Sequence, residues 1–352
     1  MSENLAQVTP APASAIVSPA EQPLLQVQDL NMVFHVRDGL KVQHLHALTN
    51  LSFDVRRGEA VALVGESGSG KSTAARIIAR LTAPTSGKIL LDGENVLARR
   101  RATLDFRARV QMIFQDPFGS LNPVHTVGYH VERPLLRHAL VGSRAEAKVR
   151  TKELLERVGL TPGNEVANRY PHELSGGQRQ RAAIARALAV SPELVLADEP
   201  TSMLDASIRV GVLNLLRELK EDRGLALLFI THDLASARYL ADRTLVLYAG
   251  HLCESGPSGQ VMDEPAHPYT RLLLSALPDP RRAGGVIEPP RGKSGAPRLI
   301  DPAPGCAFAD RCPDVHDRCR SESPTMHLIA PGRLVRCHLY AAGSTQRPTL
   351  PS

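Results

Sequence analysis

A glycine-rich stretch between an apolar segment and a helix-forming segment constrains the fold of this chain more than any other feature. Residues 60–64 read Ala-Val-Ala-Leu-Val, the continuous apolar run of a β-strand that is covered on both faces. Residues 65–73 read Gly-Glu-Ser-Gly-Ser-Gly-Lys-Ser-Thr, and residues 72–81 favour a helix. Glycine, four residues and Gly-Lys-Ser between a strand and a helix form the P-loop pattern. The sequence therefore predicts an α/β fold with a phosphate-binding loop after this strand.

The residue types of this loop suit the capture of an anion. Glycines let successive backbone N–H groups point at one phosphate, the helix adds the positive end of its dipole, and Lys71 adds a full charge. Ser72 is the predicted Mg²⁺ ligand. A surface turn with a chance lysine is the alternative, which the flanking strand and helix disfavour. The predicted nucleotide-binding residues of the loop are Gly65, Ser67, Gly68, Gly70, Lys71, Ser72 and Thr73.

Two adjacent acidic residues follow a second apolar run. Residues 194–197 read Leu-Val-Leu-Ala and lead into Asp198 and Glu199. At the end of a buried strand, Asp198 can hold Mg²⁺ through water, and Glu199 can orient or deprotonate an attacking water. A solvated turn is the alternative reading of such a pair. Because the same chain contains a P-loop, the catalytic interpretation of this acidic pair is favoured.

A second helix start suited to anions lies at residues 174–181, which read Leu-Ser-Gly-Gly-Gln-Arg-Gln-Arg. Free N–H groups at the first turn of the following helix can bind an anion, although the same residues also make an ordinary helix cap. Together with 65–72 and 194–199, this octet resembles the ATP-binding subunit of an ABC transporter. The resemblance implies that Ser175, Gly176, Gly177 and Gln178 contact ATP held by a second nucleotide domain.

The resemblance implies a fold and further site residues. The fold is a P-loop ABC ATPase cassette, with a RecA-like core, an antiparallel β subdomain and an α-helical subdomain. Gln115 matches the glutamine that contacts Mg²⁺ and the attacking water, and His232 matches the histidine that contacts the γ-phosphate; with Glu199 they form the predicted catalytic set. Asp205 matches the D-loop, where Met203 replaces the more frequent alanine. Phe34 is the candidate for stacking on adenine, or else a core residue.

Further motifs resemble importers of the peptide/nickel type. They stand at residues 111–117, 120–123, 170–174, 267–270 and 275–278. The residue after the two glycines, Gln178, resembles the second of the two ATPase subunits in dipeptide and oligopeptide permeases. Such a transporter has a substrate-binding protein, two membrane subunits and two different ATPases. Nickel, glutathione and murein peptides remain alternative cargoes. A soluble ABC ATPase and a non-catalytic scaffold are alternatives from other classes.

Four of the five cysteines lie within the last 50 residues: Cys306, Cys312, Cys319 and Cys337. Four thiolates suit zinc or a 4Fe–4S cluster, and the lack of close Cys-x₂-Cys pairs disfavours the commonest zinc ribbons. Some peptide-permease ATPases hold a 4Fe–4S cluster in this region, so the resemblance implies one here. Zinc and ordinary reduced thiols are the alternatives. Apolar residues at 301–340 are too sparse to predict an independent core, which favours metal ligation.

Composition completes the predicted organisation. The 352 residues are 43% hydrophobic, with the net charge of +6 concentrated in residues 281–352, which hold 11 Lys and Arg against 6 Asp and Glu. A solvated basic face explains this charge without a nucleic-acid partner, and no apolar run reaches membrane-helix length. The resemblance implies a peripheral protein on the cytoplasmic face of a bacterial inner membrane. The predicted parts are a disordered tail (1–23), a nucleotide-binding domain (24–262), a Pro/Gly-rich linker (263–304), a Cys-rich module (305–340) and a tail (341–352).

Overall fold

The computed structural model describes residues 22–39, 41–98, 102–276 and 299–341. Nearly all of the predicted N-terminal tail, residues 277–298 of the predicted linker and almost the whole C-terminal tail lie outside these ranges. The described strands are β1 Leu25–Asp38, β2 Lys41–Val55, β3 Ala60–Val64, β4 Ser86–Leu91, β5 Glu94–Asn95, β6 Val110–Ile113, β7 Leu194–Asp198, β8 Ala226–Thr231, β9 Arg243–Tyr248, β10 His251–Pro257, β11 Met326–Ala330 and β12 Arg333–Arg336.

Helices fill the connections between these strands. The α-helices are α1 Lys71–Ile78, α2 Leu104–Arg109, α3 Pro117–Ser120, α4 Val127–Arg137, α5 Arg144–Arg157, α6 Gly163–Asn168, α7 Gly176–Leu188, α8 Ala206–Arg223, α9 Leu234–Leu240, α10 Ser258–Asp263, α11 Pro268–Ser275 and α12 Asp317–Ser321. Short 3₁₀ helices lie at Pro171–Glu173, Ala309–Arg311 and His338–Tyr340. Among the helices of the described ranges, none combines the length and the apolar character that a membrane span requires.

The central sheet has eight strands in the order β11-β12-β10-β9-β3-β8-β7-β6. Strands β9, β3, β8, β7 and β6 run parallel to one another, whereas β10 is antiparallel to β9. Strands β3, β7 and β8 are buried along their whole length. Alternate residues enter different cores: Val61 and Leu63 pack on one face of the sheet, Ala62 and Val64 on the other. Since parallel strands end at one edge, the segments after β3, β7 and β8 converge there.

The antiparallel subdomain predicted from residues 25–27 and 51–55 is confirmed. It is a four-stranded sheet in the order β2-β1-β4-β5, in which Leu25 pairs with both Val55 and Leu91. Its apolar face shares a core with α1 and β3. The P-loop helix therefore lies between two sheets, which fixes its position at the sheet edge.

The predicted α-helical subdomain is also confirmed. Helices α3 to α6 occupy the stretch between β6 and α7, and α4, α5 and α6 place apolar residues in the core that they share with α7. Val131 on α4 and Leu155 on α5 are fully buried in it. This packing sets the position of the residues at the start of α7.

The C-terminal part departs from the predicted organisation. The predicted linker contains α11, whose first turn has Pro268 and whose N-terminus is capped by His267, the ring of which accepts a hydrogen bond from Tyr269 N at 3.0 Å. The Cys-rich module extends the central sheet, because β12 pairs with β10 and β11 pairs with β12. Its sparse apolar residues are therefore no obstacle to folding: Phe308 joins the main core.

A buried ion pair fastens this extension to the cassette. Arg333 and Glu254 lie 3.2 Å apart, with side chains 3% and 0% exposed. Glu254 also accepts hydrogen bonds from the backbone N–H groups of Ala266 and His267, at 2.9 and 2.8 Å. Arg333 donates to the carbonyl oxygen of Glu264 at 2.6 Å. The pair thus ties β12 to β10 and to the turn before α11.

The substitution Arg333→Met should destabilise the chain by about 3 to 5 kcal/mol, because it leaves the buried Glu254 carboxylate without its cation. The free energy of unfolding from urea titration measures this. Arg318→Met is the matched control, since Arg318 makes an exposed ion pair with Glu322 in the same region. Equal urea midpoints for the two variants would contradict this role of the buried pair.

Candidate active site

The P-loop lies where the sequence predicted it, between the end of β3 and the start of α1. Gly65 and Gly70 have positive φ angles of 153° and 106°. A β-carbon at Gly65 would collide with the carbonyl oxygen of Leu247, and one at Gly70 with that of Ala47. The loop is therefore packed so closely against its neighbours that only glycine fits at these two positions.

Lys71 is buried at the centre of the loop, only 4% exposed. Its Nζ donates hydrogen bonds to the carbonyl oxygens of Gly65 at 2.8 Å and Glu66 at 2.9 Å. Burial lowers the pKa of Lys71 from its ordinary value, and three nearby carboxylates oppose that shift, first that of Glu199. A phosphate bound in the loop would add to this opposing charge and favour the charged amine.

Ser72 and Asp198 form an oxygen pair beside the loop. The Ser72 hydroxyl donates to Asp198 Oδ1 at 2.9 Å, which joins the start of α1 to the end of β7. Burial raises the pKa of Asp198, and the hydrogen bond from Ser72 opposes the shift. A hydroxyl and a carboxylate are ligands that suit Mg²⁺, which takes its remaining ligands from water and substrate phosphates. The pair therefore fits the predicted magnesium.

Glu199 lies next to the other two predicted catalytic residues, Gln115 and His232. Its carboxylate accepts a hydrogen bond from Gln115 Nε2 at 3.0 Å and lies 3.3 Å from His232 Nδ1. Its backbone has a φ of 44°, and its N–H donates to Ile230 O on β8 at 2.9 Å. A left-handed backbone at a residue other than glycine is strained and persists only where its surroundings enforce it. The hydrogen bond to β8 holds the Glu199 backbone in this conformation and so directs the side chain.

One cavity of about 680 Å³ joins these groups. Its lining includes ten of the predicted site residues: Phe34, Ser67, Gly68, Gly70, Lys71, Ser72, Thr73, Gln115, Glu199 and His232. Phe34 is 38% exposed, on β1. An exposed aromatic side chain in the wall of a cavity suits stacking on a planar base, which favours the adenine contact over the core alternative.

Sequence reasoning missed three apolar wall residues: Leu45, Ala47 and Leu299. Leu45 pairs directly with Phe34 across the β1–β2 hairpin, so strand alternation could have found it. Nothing in the sequence near Leu299 indicates that this residue lines a site. The segment around it adds to β2, because Leu299 O accepts a hydrogen bond from His46 N and Asp301 N donates to His44 O, both at 2.9 Å.

The residues of the Leu-Ser-Gly-Gly-Gln motif lie away from this cavity. Ser175 caps α7 in a reciprocal pair with Gln178: Gln178 N donates to Ser175 Oγ at 3.3 Å, and Ser175 N donates to Gln178 Oε1 at 3.0 Å. Gly177 packs against Ile208, with no room for a β-carbon. Gly176 precedes it in the same turn, and Asp205 stands just before α8. None of these residues lines the cavity around Lys71 in its own chain.

The four C-terminal cysteines lie near one another. Cys306 N donates to Cys319 O at 2.7 Å. Burial, with smaller contributions from neighbouring cysteines, raises the pKa of Cys312 and of Cys337 to about 12. Across the described ranges, however, no group of three or more His, Cys, Asp or Glu side chains is arranged to hold a metal ion. This geometry gives no support to the predicted 4Fe–4S cluster.

Comparisons with known proteins agree with the fold. Residues 48–202 match the family described as "ABC transporter". Residues 253–319 match "Oligopeptide/dipeptide transporter, C-terminal region". The second match spans α11, the described part of the predicted linker and the first three cysteines of the predicted module.

Relatives extend the likeness over nearly the whole chain. The oligopeptide transport ATP-binding protein AppF of Bacillus subtilis is 43% identical over 327 residues, which cover 91% of this chain and 98% of AppF. A protein of Sinorhizobium fredii named "Probable peptide ABC transporter ATP-binding protein y4tS" is 42% identical over 322 residues, which cover 90% of each chain.

Solved structures show the same cassette. The dimeric ATP-binding cassette MJ0796, bound to ADP and Pi, superposes with a TM-score of 0.60 and 32% identity, covering 66% of this chain and 98% of that one. The cassette cbiO1 of Clostridium perfringens, part of the complex cbiONQ, gives a TM-score of 0.60 and 29% identity, covering 69% of this chain and 92% of cbiO1. The chain therefore belongs to the ABC transporter family, as an ATP-hydrolysing cassette that carries the oligopeptide/dipeptide transporter C-terminal region.

Proposed function

We propose that this chain hydrolyses ATP in the cavity around Lys71 and thereby powers the import of peptides across the cytoplasmic membrane. The observation that carries the proposal is the position of the Glu199 carboxylate: it faces the P-loop cavity and is held by Gln115 and His232. The relatives named as oligopeptide and peptide transport proteins support peptides as the cargo.

Catalysis in this site is electrostatic. Lys71 and the P-loop amides bind the β- and γ-phosphates, and Phe34 stacks on the base. When bound beside Ser72 and Asp198, Mg²⁺ supplies positive charge to the phosphates. Glu199 orients and polarises the attacking water. His232 donates to the γ-phosphoryl oxygens, where negative charge is retained as the bond to the leaving group breaks.

Gln115 completes the set from the side of the helical subdomain. It lies on the segment between β6 and α3, with its amide on the Glu199 carboxylate. Movement of that subdomain would therefore move a group in direct contact with the catalytic acid. This contact supports a role for Gln115 in relaying the nucleotide state to the membrane subunits.

A second ATPase completes the site in this proposal. Ser175, Gly176, Gly177, Gln178 and Asp205 lie outside the chain's own cavity, at the starts of α7 and α8. Helix α7 has 13 residues, so its N-terminal N–H groups carry a helix dipole suited to a γ-phosphate. We infer that they face ATP on a sister ATPase, in a head-to-tail pair. At the cytoplasmic face of the membrane, the pair of ATPases contacts two permease subunits. A substrate-binding protein delivers the peptide to those permease subunits.

The cysteines are the remaining part of the proposal. We infer a 4Fe–4S cluster held by Cys306, Cys312, Cys319 and Cys337 from the number of these thiols and from the family resemblance alone. Ligation would require the thiols to lose their protons and rearrange, since burial raises the pKa of Cys306, Cys312 and Cys337. Such a cluster would be structural, with no step in ATP hydrolysis.

The substitution Lys71→Ala should abolish ATP binding, because it removes the cation that faces the phosphates. Binding of a fluorescent ATP analogue to the full-length chain measures this. Lys152→Ala is the control, since Lys152 lies on the surface of α5 in a loose pair with Glu156. Equal affinity of the Lys71→Ala variant and the unsubstituted chain would show that ATP binds elsewhere.

The substitution Glu199→Gln should leave ATP binding intact and reduce turnover about 100-fold or more, because the amide cannot polarise the water as a carboxylate does. Phosphate release by the transporter reassembled with its sister and membrane subunits measures this. Glu221→Gln, at an exposed position of α8, should hydrolyse ATP normally. Unchanged turnover in the Glu199→Gln assembly would remove Glu199 from the mechanism.

Anaerobically purified chain should contain about four iron atoms if the cysteines hold a 4Fe–4S cluster. Replacing Cys312 and Cys337 together with serine should remove the iron without changing ATP affinity. Cys253→Ala should retain it, since Cys253 lies outside the proposed ligand set. Metal analysis that finds stoichiometric zinc, or neither metal, would overturn this part of the proposal.

A further inference from the structure

Glu66, the second residue of the P-loop, is held by two side chains from the C-terminal part of the chain. Arg311 makes a bidentate pair with its carboxylate, Nη1 to Oε2 at 2.7 Å and Nη2 to Oε1 at 2.8 Å. The hydroxyl of Tyr269 accepts a hydrogen bond from Glu66 N at 2.9 Å. The carbonyl oxygen of Glu66 accepts from Lys71 Nζ, also at 2.9 Å. Arg311 and Lys71 therefore contact opposite ends of one residue.

The Arg311 guanidinium is fixed in place by aromatic rings. Its central carbon lies 5.6 Å from the ring centre of Tyr248 and 5.8 Å from that of Phe308. These two rings and Tyr269 pack together, with centroid distances between 4.5 and 5.4 Å. The Arg311 side chain is 19% exposed. Arginine held this way presents a preformed fork to a carboxylate.

The charge of Glu66 matters because of what the loop binds. A carboxylate beside a phosphate-binding loop repels a polyanion unless a cation neutralises it. Glu66 is not among the residues that line the cavity, so its carboxylate would act on a bound nucleotide through its charge rather than by direct contact. Arg311 provides the neutralising charge and at the same time fixes the loop residue to which Lys71 is bonded.

We propose that Arg311 is a positioning residue for ATP binding: its bidentate pair with Glu66 shapes and neutralises the P-loop, so that the C-terminal region sets the affinity of the site for nucleotide phosphates. The inference rests on the proposed role of Lys71 in binding ATP. A purely structural role is the competing explanation, in which the pair only anchors the 3₁₀ helix Ala309–Arg311 to the cassette.

The two explanations differ in how a second substitution acts. Arg311→Gln leaves the Glu66 carboxylate unpaired, so ATP affinity should fall about tenfold through like-charge repulsion. Adding Glu66→Gln removes that charge and should restore most of the affinity. If the pair only anchors the 3₁₀ helix, the ATP affinity lost in the single variant would not return in the double variant. The loss should also be larger for ATP than for ADP and should shrink with added salt.

The experiment measures nucleotide affinity of the full-length chain for these variants by fluorescence titration. Arg318→Gln is the matched control, an arginine of the same region whose glutamate partner is Glu322 and not a loop residue. Arg311→Lys keeps the positive charge but cannot form the bidentate pair. Its ATP affinity should therefore lie between that of Arg311→Gln and that of the unsubstituted chain. If Arg311→Gln does not fold, as judged by thermal unfolding, Glu66→Gln alone carries the test: it removes the repelling carboxylate, so ATP affinity should be kept or rise, whereas loss of an anchor should lower it.

Two results would overturn the inference while leaving the proposed function intact. One is unchanged ATP affinity in the Arg311 variants when Lys71→Ala no longer binds. The other is an affinity loss that Glu66→Gln fails to restore, equal for ATP and ADP. If Lys71→Ala binds ATP as the unsubstituted chain does, the proposed function itself fails.

Discussion

The buried ammonium group of Lys71 is the constraint on which the rest of the site depends. A cation only 4% exposed is costly unless negative groups surround it. The loop offers two carbonyl oxygens, and the carboxylates of Glu199, Asp198 and Glu66 add negative charge. The fold meets this requirement because β3, β7 and β8 are parallel and end at one edge. ATP phosphates bound in the loop would supply the remaining negative charge.

The same edge fixes the catalytic carboxylate. Glu199 follows β7 in a left-handed backbone conformation, and its N–H is bonded to β8. Its side chain therefore has a defined direction before any substrate binds, which is what electrostatic catalysis requires. Gln115 and His232 reach it from the ends of β6 and β8. Four strand ends thus contribute to one constellation around the cavity.

Local motifs made much of this predictable from the sequence. The P-loop, the acidic pair at the end of β7 and the cap of α7 are each formed by a few consecutive residues, and the structure places these segments as expected. Gln115 and His232 needed the family resemblance, because a lone glutamine or histidine carries no local signal. Composition alone assigns α11 to the Pro/Gly-rich linker, because the proline and glycine content rises after residue 262. In the structure Pro268 stands in the first turn of this helix.

The C-terminal contribution to the site was not predictable. Leu299 and Arg311 stand more than 200 residues after the P-loop, and only the folded chain brings them near it. The apolar content of 301–340 was judged as if that region had to build its own core. Instead β12 adds to the central sheet and Phe308 enters the main core. The region is therefore an integral part of the cassette.

The central claim is that ATP binds in the cavity around Lys71, with its γ-phosphate facing Glu199. A crystal structure of the Glu199→Gln chain with ATP and Mg²⁺ tests this most directly, since the variant should bind the nucleotide without consuming it. The account predicts phosphate oxygens on Lys71 Nζ, Mg²⁺ beside Ser72 and Asp198, and the adenine ring against Phe34. Phosphates bound away from Lys71, or an adenine ring that does not contact Phe34, would contradict it.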